Sequence, residues 1–281
     1  TVTFGEGLTL GAEATPIYVA VPAGEHGLYT ITINSTEGEA MVVRYDSAKN
    51  PVKAGIVKEF GEILYAPSAV ADPEGELVIV SESDMLRLQK WAADGKLANV
   101  TKVTVGATID MSGVTTWQPI AGFPAIEFDG GSDKGYEIKG LTSALFDTVT
   151  GATIKNVKLT EVNVVENDKF HFGILVCEAV GTSISNCFVG GNLVYENGDA
   201  IPGVATNDSF AVGAMVGVLE GVSTLSDSTT DVVVDIKEFA ASASAKIYTG
   251  FGGIVGRTEG SSTTSIQITN CTSLSQLTNS S

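Results

Sequence analysis

The chain has 281 residues, of which 43% are hydrophobic and 17% charged, and its 33 acidic and 16 basic residues give a formal net charge of −17. This apolar content is sufficient for a packed core and excludes a disordered acidic chain. The negative charge disfavours nucleic acid and anionic membrane surfaces as partners, because both would repel the chain. No apolar run reaches the ~18 residues that a transmembrane helix requires.

The first region, residues 1–76, is predicted to form antiparallel β-structure. Apolar and polar residues alternate over 28–34, and a second apolar run over 41–45 follows a turn-forming stretch, which together indicate a hairpin. Further short strands are predicted over 17–21 and 56–60. Because a few strands of this length are only marginally stable alone, we expect a small β-sandwich, or part of one.

A single helix is predicted near 83–94. Ser81 is a suitable N-cap and is followed by carboxylates in the first turn. Met85 and Leu88 recur at helical spacing, and Gly95 ends the pattern. A helix placed before a long β-region is suited to cover its first exposed edge, so we expect a capping helix.

The second region, residues 77–281, contains an internal repeat. Four segments align over nine positions without gaps: 143–151, 173–181, 213–221 and 252–260. Short β-branched strands broken by glycines cannot bury an apolar face singly but can do so when repeats stack. No helices separate these strands, which excludes a doubly wound α/β fold. We therefore predict an all-β chain whose second region is a right-handed parallel β-helix, with an antiparallel sandwich as the alternative.

Each matched segment is followed by a second one with a polar column. The column residues are Asn156, Asn186, Asp227 and Asn270. Side chains stacked in this way can hydrogen-bond from one repeat to the next at a corner. We expect the apolar residues two positions earlier, Ile154, Ile184 and Leu225, to face the interior.

Histidine and cysteine give no convincing site. His26 and His171 lie in different predicted regions, and we expect both in loops, turns or rims rather than as general bases. Cys177, Cys187 and Cys271 are odd in number and form no Cys-x-x-Cys motif, so we interpret them as small structural residues. We predict no catalytic, cofactor-binding or metal site.

Carboxylates are the less favoured alternative. Pectate-lyase-type β-helix enzymes hold Ca²⁺ with stacked carboxylates. Here Asp129 and Asp133 share a glycine-rich loop, and Glu166, Asp168 and Asp199 lie between repeats. No run matches an EF-hand loop, and no aspartate column repeats, so a solvated acidic surface is the expectation.

The two tryptophans are expected in the core. Trp91 fits the apolar face of the predicted helix, and Trp117 is flanked by Pro119 and Ile120 in a motif that would close the first repeat. A sugar-stacking platform at Trp117 is the alternative.

Motifs in the second region carry a family resemblance. They occur in the order Asp110-Met111-Ser112, Trp117-Gln118-Pro119-Ile120, Phe128-Asp129-Gly130 and Ile138-Lys139-Gly140-Leu141. This order resembles GLUG-repeat proteins, although Ala121 stands where that family has glycine. The segments 18–24 and 52–56 resemble the closing strands of fimbrillin-like β-sandwich domains.

These resemblances imply a cell-envelope protein of Bacteroides-type bacteria, lipid-anchored or pilus-associated. We accordingly predict a non-enzymatic, extracellular adhesin or fimbria-associated stalk at the cell surface or outer membrane. Its partner would be a host surface protein or glycan, contacted through the variable segments 196–208 and 237–249, and an anchor outside this chain would hold it to the membrane. A polysaccharide lyase or glycoside hydrolase on a β-helix is the alternative. Because the chain begins at Thr1 without a signal peptide, we expect it to be a piece of a longer protein.

Overall fold

The computed structural model describes residues 28–33, 41–46, 73–114, 117–167, 169–196, 209–237, 248–260 and 265–279. The chain divides into two compact units, Thr1–Ala71 and Asp72–Ser281.

In the first unit, strands β1 (Leu28–Ile33) and β2 (Met41–Asp46) pair antiparallel, with Leu28 opposite Asp46 and Ile33 opposite Met41. The hairpin predicted from the alternation is therefore present. The other strands of the predicted β-sandwich, over 17–21 and 56–60, lie outside the described residues.

The second unit contains four sheets of parallel strands. Sheet 1 consists of β3 (Glu74–Ile79), β4 (Asn99–Val105), β6 (Glu127–Asp129), β9 (Thr153–Lys155), β13 (Ser183–Ser185), β17 (Thr224–Ser226) and β21 (Gln267–Thr269). Sheet 2 consists of β5 (Ile109–Asp110), β7 (Ile138–Lys139), β10 (Lys158–Glu166), β14 (Phe188–Glu196), β18 (Thr229–Lys237), β22 (Thr272–Ser273) and β23 (Gln276–Thr278). Sheet 3 consists of β8 (Phe146–Thr150), β12 (Val176–Val180), β16 (Val216–Glu220) and β20 (Val255–Glu259). Sheet 4 consists of β11 (His171–Gly173), β15 (Ser209–Gly213) and β19 (Tyr248–Gly252).

A single α-helix, α1 (Glu82–Ala93), occurs in the described part of the chain and lies between β3 and β4. The Ser81 side chain accepts a hydrogen bond from Asp84 N at 3.2 Å, which caps the first turn. Met85 and Leu88 are fully buried on its apolar face. The helix is too short and too polar to cross a membrane, as is every helix among the described residues.

The predicted fold class, a right-handed parallel β-helix preceded by a small β-sandwich, needs correction. What the structure shows is an all-β chain with several separate parallel sheets and the one helix named above, without a closed solenoid among the described residues. The physical reason is that stacked repeats require only parallel neighbours in register. Such pairing establishes which repeats lie side by side, but neither the handedness nor the closure of a coil.

The register of the repeats matches the sequence alignment. Phe146 pairs with Val176, Val176 with Val216, and Val216 with Val255. These four residues occupy one column of the alignment of 143–151, 173–181, 213–221 and 252–260. The ungapped alignment of the repeats therefore predicted this strand pairing correctly.

The apolar column beside the polar corner is also present. Ile184 pairs with Ile154 on one side and Leu225 on the other, and all three are fully buried. Leu225 pairs in turn with Ile268, which is 44% exposed because β21 is an end strand of sheet 1. The inward facing of the first three residues is confirmed.

The polar column forms a hydrogen-bonded ladder with one break. All four residues, Asn156, Asn186, Asp227 and Asn270, have φ between 51° and 53°, a left-handed conformation that Asn and Asp tolerate better than other side chains. Asn186 Nδ2 donates to Asn156 Oδ1 at 2.7 Å, and Asn270 Nδ2 donates to Asp227 Oδ1 at 2.6 Å. No hydrogen bond joins the side chains of Asn186 and Asp227, and that is the break in the ladder.

Aromatic residues fill the start of the second unit. Trp117 is 2% exposed and its indole N–H donates to Ala144 O at 2.9 Å. Phe123, Phe128 and Phe146 pack edge-on or tilted, with ring centroids 5.0–6.0 Å apart. The expectation that Trp117 is a core residue is confirmed.

Candidate functional site

A cleft of about 350 Å³ opens at the junction of sheets 3 and 4. It is lined by Asp147, Thr148, Lys169, Phe170, His171, Cys177 and Glu178. Sheet 3 has four strands and sheet 4 has three, because residues 117–167 contribute β8 to sheet 3 and nothing to sheet 4. The cleft therefore lies beside β8, which has no sheet 4 strand in its own repeat, and next to β11, the end strand of sheet 4.

Small residues show why the cleft is confined to this repeat. Asp147, Cys177, Gly217 and Gly256 share one column of the alignment. A Cβ atom at Gly217 would lie 2.7 Å from Phe172 N in β11, and one at Gly256 would lie 2.5 Å from Val212 N in β15, so at both glycines the sheet 4 strand of the preceding repeat leaves no room for a side chain. At Asp147 no strand of sheet 4 is present, and the column can carry a carboxylate.

The imidazole of His171 is held from both sides. Its Nδ1 lies 2.5 Å from Glu178 Oε1, and its Nε2 lies 3.2 Å from Arg257 Nη2. Because a guanidinium can only donate, Nε2 accepts and the ring proton is on Nδ1, directed to Glu178. The second oxygen of Glu178 lies 3.5 Å from the Thr148 hydroxyl.

Arg257 belongs to a distant repeat and reaches His171 without being among the residues that line the cleft. Its Nη2 also donates to Glu259. Its Nε–H is buried and has no acceptor, and it is the one such side-chain atom found among the described residues. A buried donor left unpaired is costly, and water or a ligand is its usual partner.

Lys169 provides the second cation. Its Nζ donates to Asp147 Oδ1 at 2.6 Å, and its backbone N–H donates to the buried Glu166 at 3.0 Å. Tyr195 fixes the same loop by donating its hydroxyl to Lys169 O at 2.6 Å. Burial acts to lower the pKa of Lys169, but the hydrogen bond to Asp147 and the charges of Asp147 and Glu166 hold that pKa above its usual value. Lys169 is therefore an ammonium ion at neutral pH.

Cys177 closes the cleft as an inert thiol. Burial raises the pKa of Cys177 to about 12. A thiol of that pKa is protonated at neutral pH and is a poor nucleophile and metal ligand. Burial raises the pKa of Cys187 to about 12 as well, so both residues fit the structural interpretation made from the sequence.

The carboxylates weighed from the sequence are dispersed. Asp129 accepts from Asn156 Nδ2 at 3.0 Å and from Gly131 N at 3.1 Å, and it lies 3.7 and 3.8 Å from the ammonium groups of Lys102 and Lys155. Burial acts to raise the pKa of Asp129, but these hydrogen bonds and charges hold it below its usual value. Asp133 is exposed in the short 3₁₀ turn Ser132–Lys134. Protein donors occupy Asp129, which makes it part of a structural ion-pair cluster.

Several other candidates lie outside the described residues. They are His26, Asp168, Asp199 and most of the variable segments 196–208 and 237–249.

No group of three or more His, Cys, Asp or Glu side chains that could hold a metal ion occurs in the described ranges. The single histidine in those ranges, His171, already has partners on both ring nitrogens. The described residues thus do not fit a catalytic metal centre. They do supply a cleft with hydrogen-bond donors and acceptors of both charges.

Sequence reasoning placed His171 at a turn or rim and did not connect it with Lys169 or Arg257. The sequence held one signal for the cleft. The alignment column that has Cys177, Gly217 and Gly256 in the later repeats has an aspartate, Asp147, in the first repeat. The partnership of His171 with Arg257, 86 positions later, left no local signal.

Comparison with known proteins gives one family match. Residues 120–191 match the family model of the N-terminal region of M26 IgA1-specific metallo-endopeptidases. Among solved structures, the chain is similar to a Bacteroides ovatus protein described as a candidate immunoglobulin A1 protease, with 18% identity and a TM-score of 0.44. The similarity covers 72% of this chain and 67% of the other, and at this level it decides neither fold nor activity. No curated protein matches the chain.

These findings correct the family assignment. The matched residues 120–191 include motifs used for the GLUG resemblance, yet the matching family is M26, and neither GLUG-repeat nor fimbrillin-like proteins are found. The reason is that glycines and β-branched residues at short intervals are what any stacked parallel repeat requires.

The predicted function is corrected with it. A non-enzymatic adhesin or fimbria-associated stalk, and the lipoprotein and cell-adhesion associations drawn from the resemblance, are wrong because the family match points to a peptidase. The polysaccharide lyase or hydrolase kept as an alternative likewise has no support from that match.

Proposed function

We propose that this chain serves in the N-terminal region of an extracellular metallo-endopeptidase similar to M26 IgA1-specific enzymes, and that its cleft contacts the polypeptide substrate. The observation that carries the proposal is the position of the family match. Residues 120–191 include β8, β11 and β12 and all seven residues that line the cleft.

The chemistry of the cleft suits a polypeptide. A peptide backbone presents N–H donors and carbonyl acceptors in alternation. Lys169 offers a donor to carbonyls, and the carboxylates of Asp147 and Glu178 offer acceptors to N–H groups. Phe170, half-buried in the wall, offers an apolar face. The described residues thus contribute binding groups for the substrate and not metal ligands.

The proposal is tested by incubating the metallo-endopeptidase that would contain this chain with IgA1, and with IgA2 as the matched control. Heavy-chain cleavage is followed on gels with added Zn²⁺ and with a zinc chelator, and binding of each antibody to the 281-residue chain is measured on a biosensor surface. We expect chelator-sensitive cleavage of IgA1 together with binding of IgA1 by this chain. IgA1 that stays both intact and unbound would contradict the proposal.

A further inference from the structure

The last repeat forms one end of all four parallel sheets. Within each sheet the strands follow one another in chain order, so the end strands on this side are β19, β20, β21, and β22 with β23. The backbone groups along the outer edge of an end strand have no neighbouring strand to pair with. We call this side of the second unit, formed by residues 248–260 and 265–279, the open end.

Apolar residues that are interior in the third repeat are uncovered at the open end. Leu225 in β17 is fully buried, whereas its partner Ile268 in β21 is 44% exposed. Val234 in β18 is 1% exposed, whereas its partner Leu277 in β23 is 49% exposed. Leu274, between β22 and β23, is 60% exposed. The open end therefore presents apolar surface that a further layer of strands would bury.

The opposite end of the stack is closed. Its end strands β3 and β5 carry Ile79 and Ile109, and each of these residues is 2% exposed. Helix α1 belongs to the same apolar cluster and contributes the fully buried Met85 and Leu88. Within the described part of the second unit, the stack is thus open at one end only.

The open end is also uncharged, although the chain as a whole carries a formal charge of −17. Residues 248–281 contain one basic residue, Arg257, and one acidic residue, Glu259, and these two form an ion pair with each other. Exposed strand edges are usually protected from pairing with other chains by charged side chains, lysine above all, or by proline. Residues 265–279 contain no charged residue and no proline, so this edge lacks that protection.

We propose that the open end binds the open end of a second copy of this chain, giving a dimer in which Leu274 and Leu277 of the two copies cover each other. A second copy presents the same apolar, uncharged strands, and a two-fold contact joins identical surfaces. Because the opposite end is closed, association stops at two copies and does not continue into a filament. This dimer is independent of the function proposed for the cleft.

The charge of the chain gives the dimer a salt dependence of definite sign. Two bodies of formal charge −17 repel each other, and dissolved salt screens that repulsion. The contact itself is apolar and uncharged, so salt does not weaken it. Added salt should therefore strengthen the dimer, whereas it would weaken an association held by ion pairs.

Sedimentation equilibrium of the 281-residue chain tests the proposal. The protein is examined between about 1 and 100 μM, a range that covers interfaces of modest affinity. We expect the average mass to rise with concentration from the 29.0 kDa of one chain toward twice that value. At a fixed concentration, raising the salt from about 0.05 to 0.5 M should raise the average mass further.

Substitutions locate the contact. Leu274→Asp and Leu277→Asp place facing carboxylates in an apolar contact and should each weaken dimerisation by at least about tenfold. Val165→Asp is the matched control, because Val165 is 57% exposed but lies in β10, which β14 and β18 separate from the end strands of sheet 2. It should leave dimerisation unchanged. Unfolding midpoints close to that of the parent, measured at the lowest concentration, show that the variants are folded.

Three results would overturn the inference. A mass of 29.0 kDa at every concentration would mean that a second copy does not cover the open end. Growth beyond two copies would require a second open end. Dimerisation that Leu274→Asp and Leu277→Asp leave unchanged, or that Val165→Asp weakens equally, would place the contact elsewhere on the chain.

Discussion

Replacing Ile184 with Ala tests the apolar column between the repeats. The side chain is fully buried, and its strand is flanked by Ile154 on one side and Leu225 on the other. The change removes three carbon atoms, which at about 0.8 kcal/mol each gives a transfer cost of about 2.4 kcal/mol. The neighbouring strands are fixed by their own hydrogen bonds and cannot close the space, so a cavity cost raises the total toward ~3–5 kcal/mol.

The chain offers a matched control in Ile268→Ala. Ile268 occupies the same column in the last repeat but is 44% exposed. Water can enter the space that this substitution leaves, so no cavity cost is added. The loss should be no more than about 1.3 kcal/mol, in proportion to the buried fraction.

Urea unfolding followed by tryptophan fluorescence measures both changes. Trp91 and Trp117, the two tryptophans of the chain, lie in the unit Asp72–Ser281, so the signal reports that unit alone. A lower midpoint with an unchanged slope gives the loss of stability directly. Equal losses for Ile184→Ala and Ile268→Ala would refute the argument that burial within the stacked repeats sets the cost.

Two further predictions concern the polar corner. Asp227→Asn should raise stability by about 0.5–1.5 kcal/mol, since the new amide can donate to Asn186 Oδ1 while its own oxygen still accepts from Asn270, and a lower urea midpoint would contradict this. Asp129→Asn should lower the thermal midpoint at neutral pH and make it less sensitive to acid. The fold holds the pKa of Asp129 below its usual value. The contribution of the Asp129 carboxylate to the free energy of unfolding is therefore complete above the pKa that Asp129 has in the unfolded chain. That contribution is lost as the pH falls through the lower pKa that Asp129 has in the folded protein. Midpoints of parent and variant measured between about pH 7 and pH 3 should therefore converge toward acid, and parallel curves would refute the assignment.

Local features of the fold could be predicted because a few neighbouring residues encode them. Ser81 with the apolar residues at helical spacing predicted α1, and the turn between two alternating runs predicted the β1–β2 hairpin. The ungapped alignment predicted the pairing of Phe146 with Val176 and onward. The helix and the hairpin follow from local backbone preferences. The repeat pairing follows because apolar residues at equivalent positions of neighbouring repeats bury one another.

The same local demands explain why the family was misassigned. A tight turn requires glycine or asparagine, and a buried strand requires β-branched or aromatic residues, in any protein whose repeats stack. Motifs such as Phe128-Asp129-Gly130 therefore record a turn after a strand in sheet 1. They do not discriminate between families, and they do not fix the handedness or closure of the fold.

The sequence by itself determined the β1–β2 hairpin and the helix, which depend on neighbouring residues, and the pairing of the repeats with its polar column, which depends on contacts between equivalent positions. Only the tertiary structure decided the cleft. It exists because the repeat that supplies β8 contributes no strand to sheet 4, which frees the position of Asp147. Stacking then brings Arg257 to His171 across 86 positions of sequence. Such a pair joins non-equivalent residues of different repeats: Arg257 lies in the ladder column of Glu178 and Val218, whereas His171 lies in another sheet.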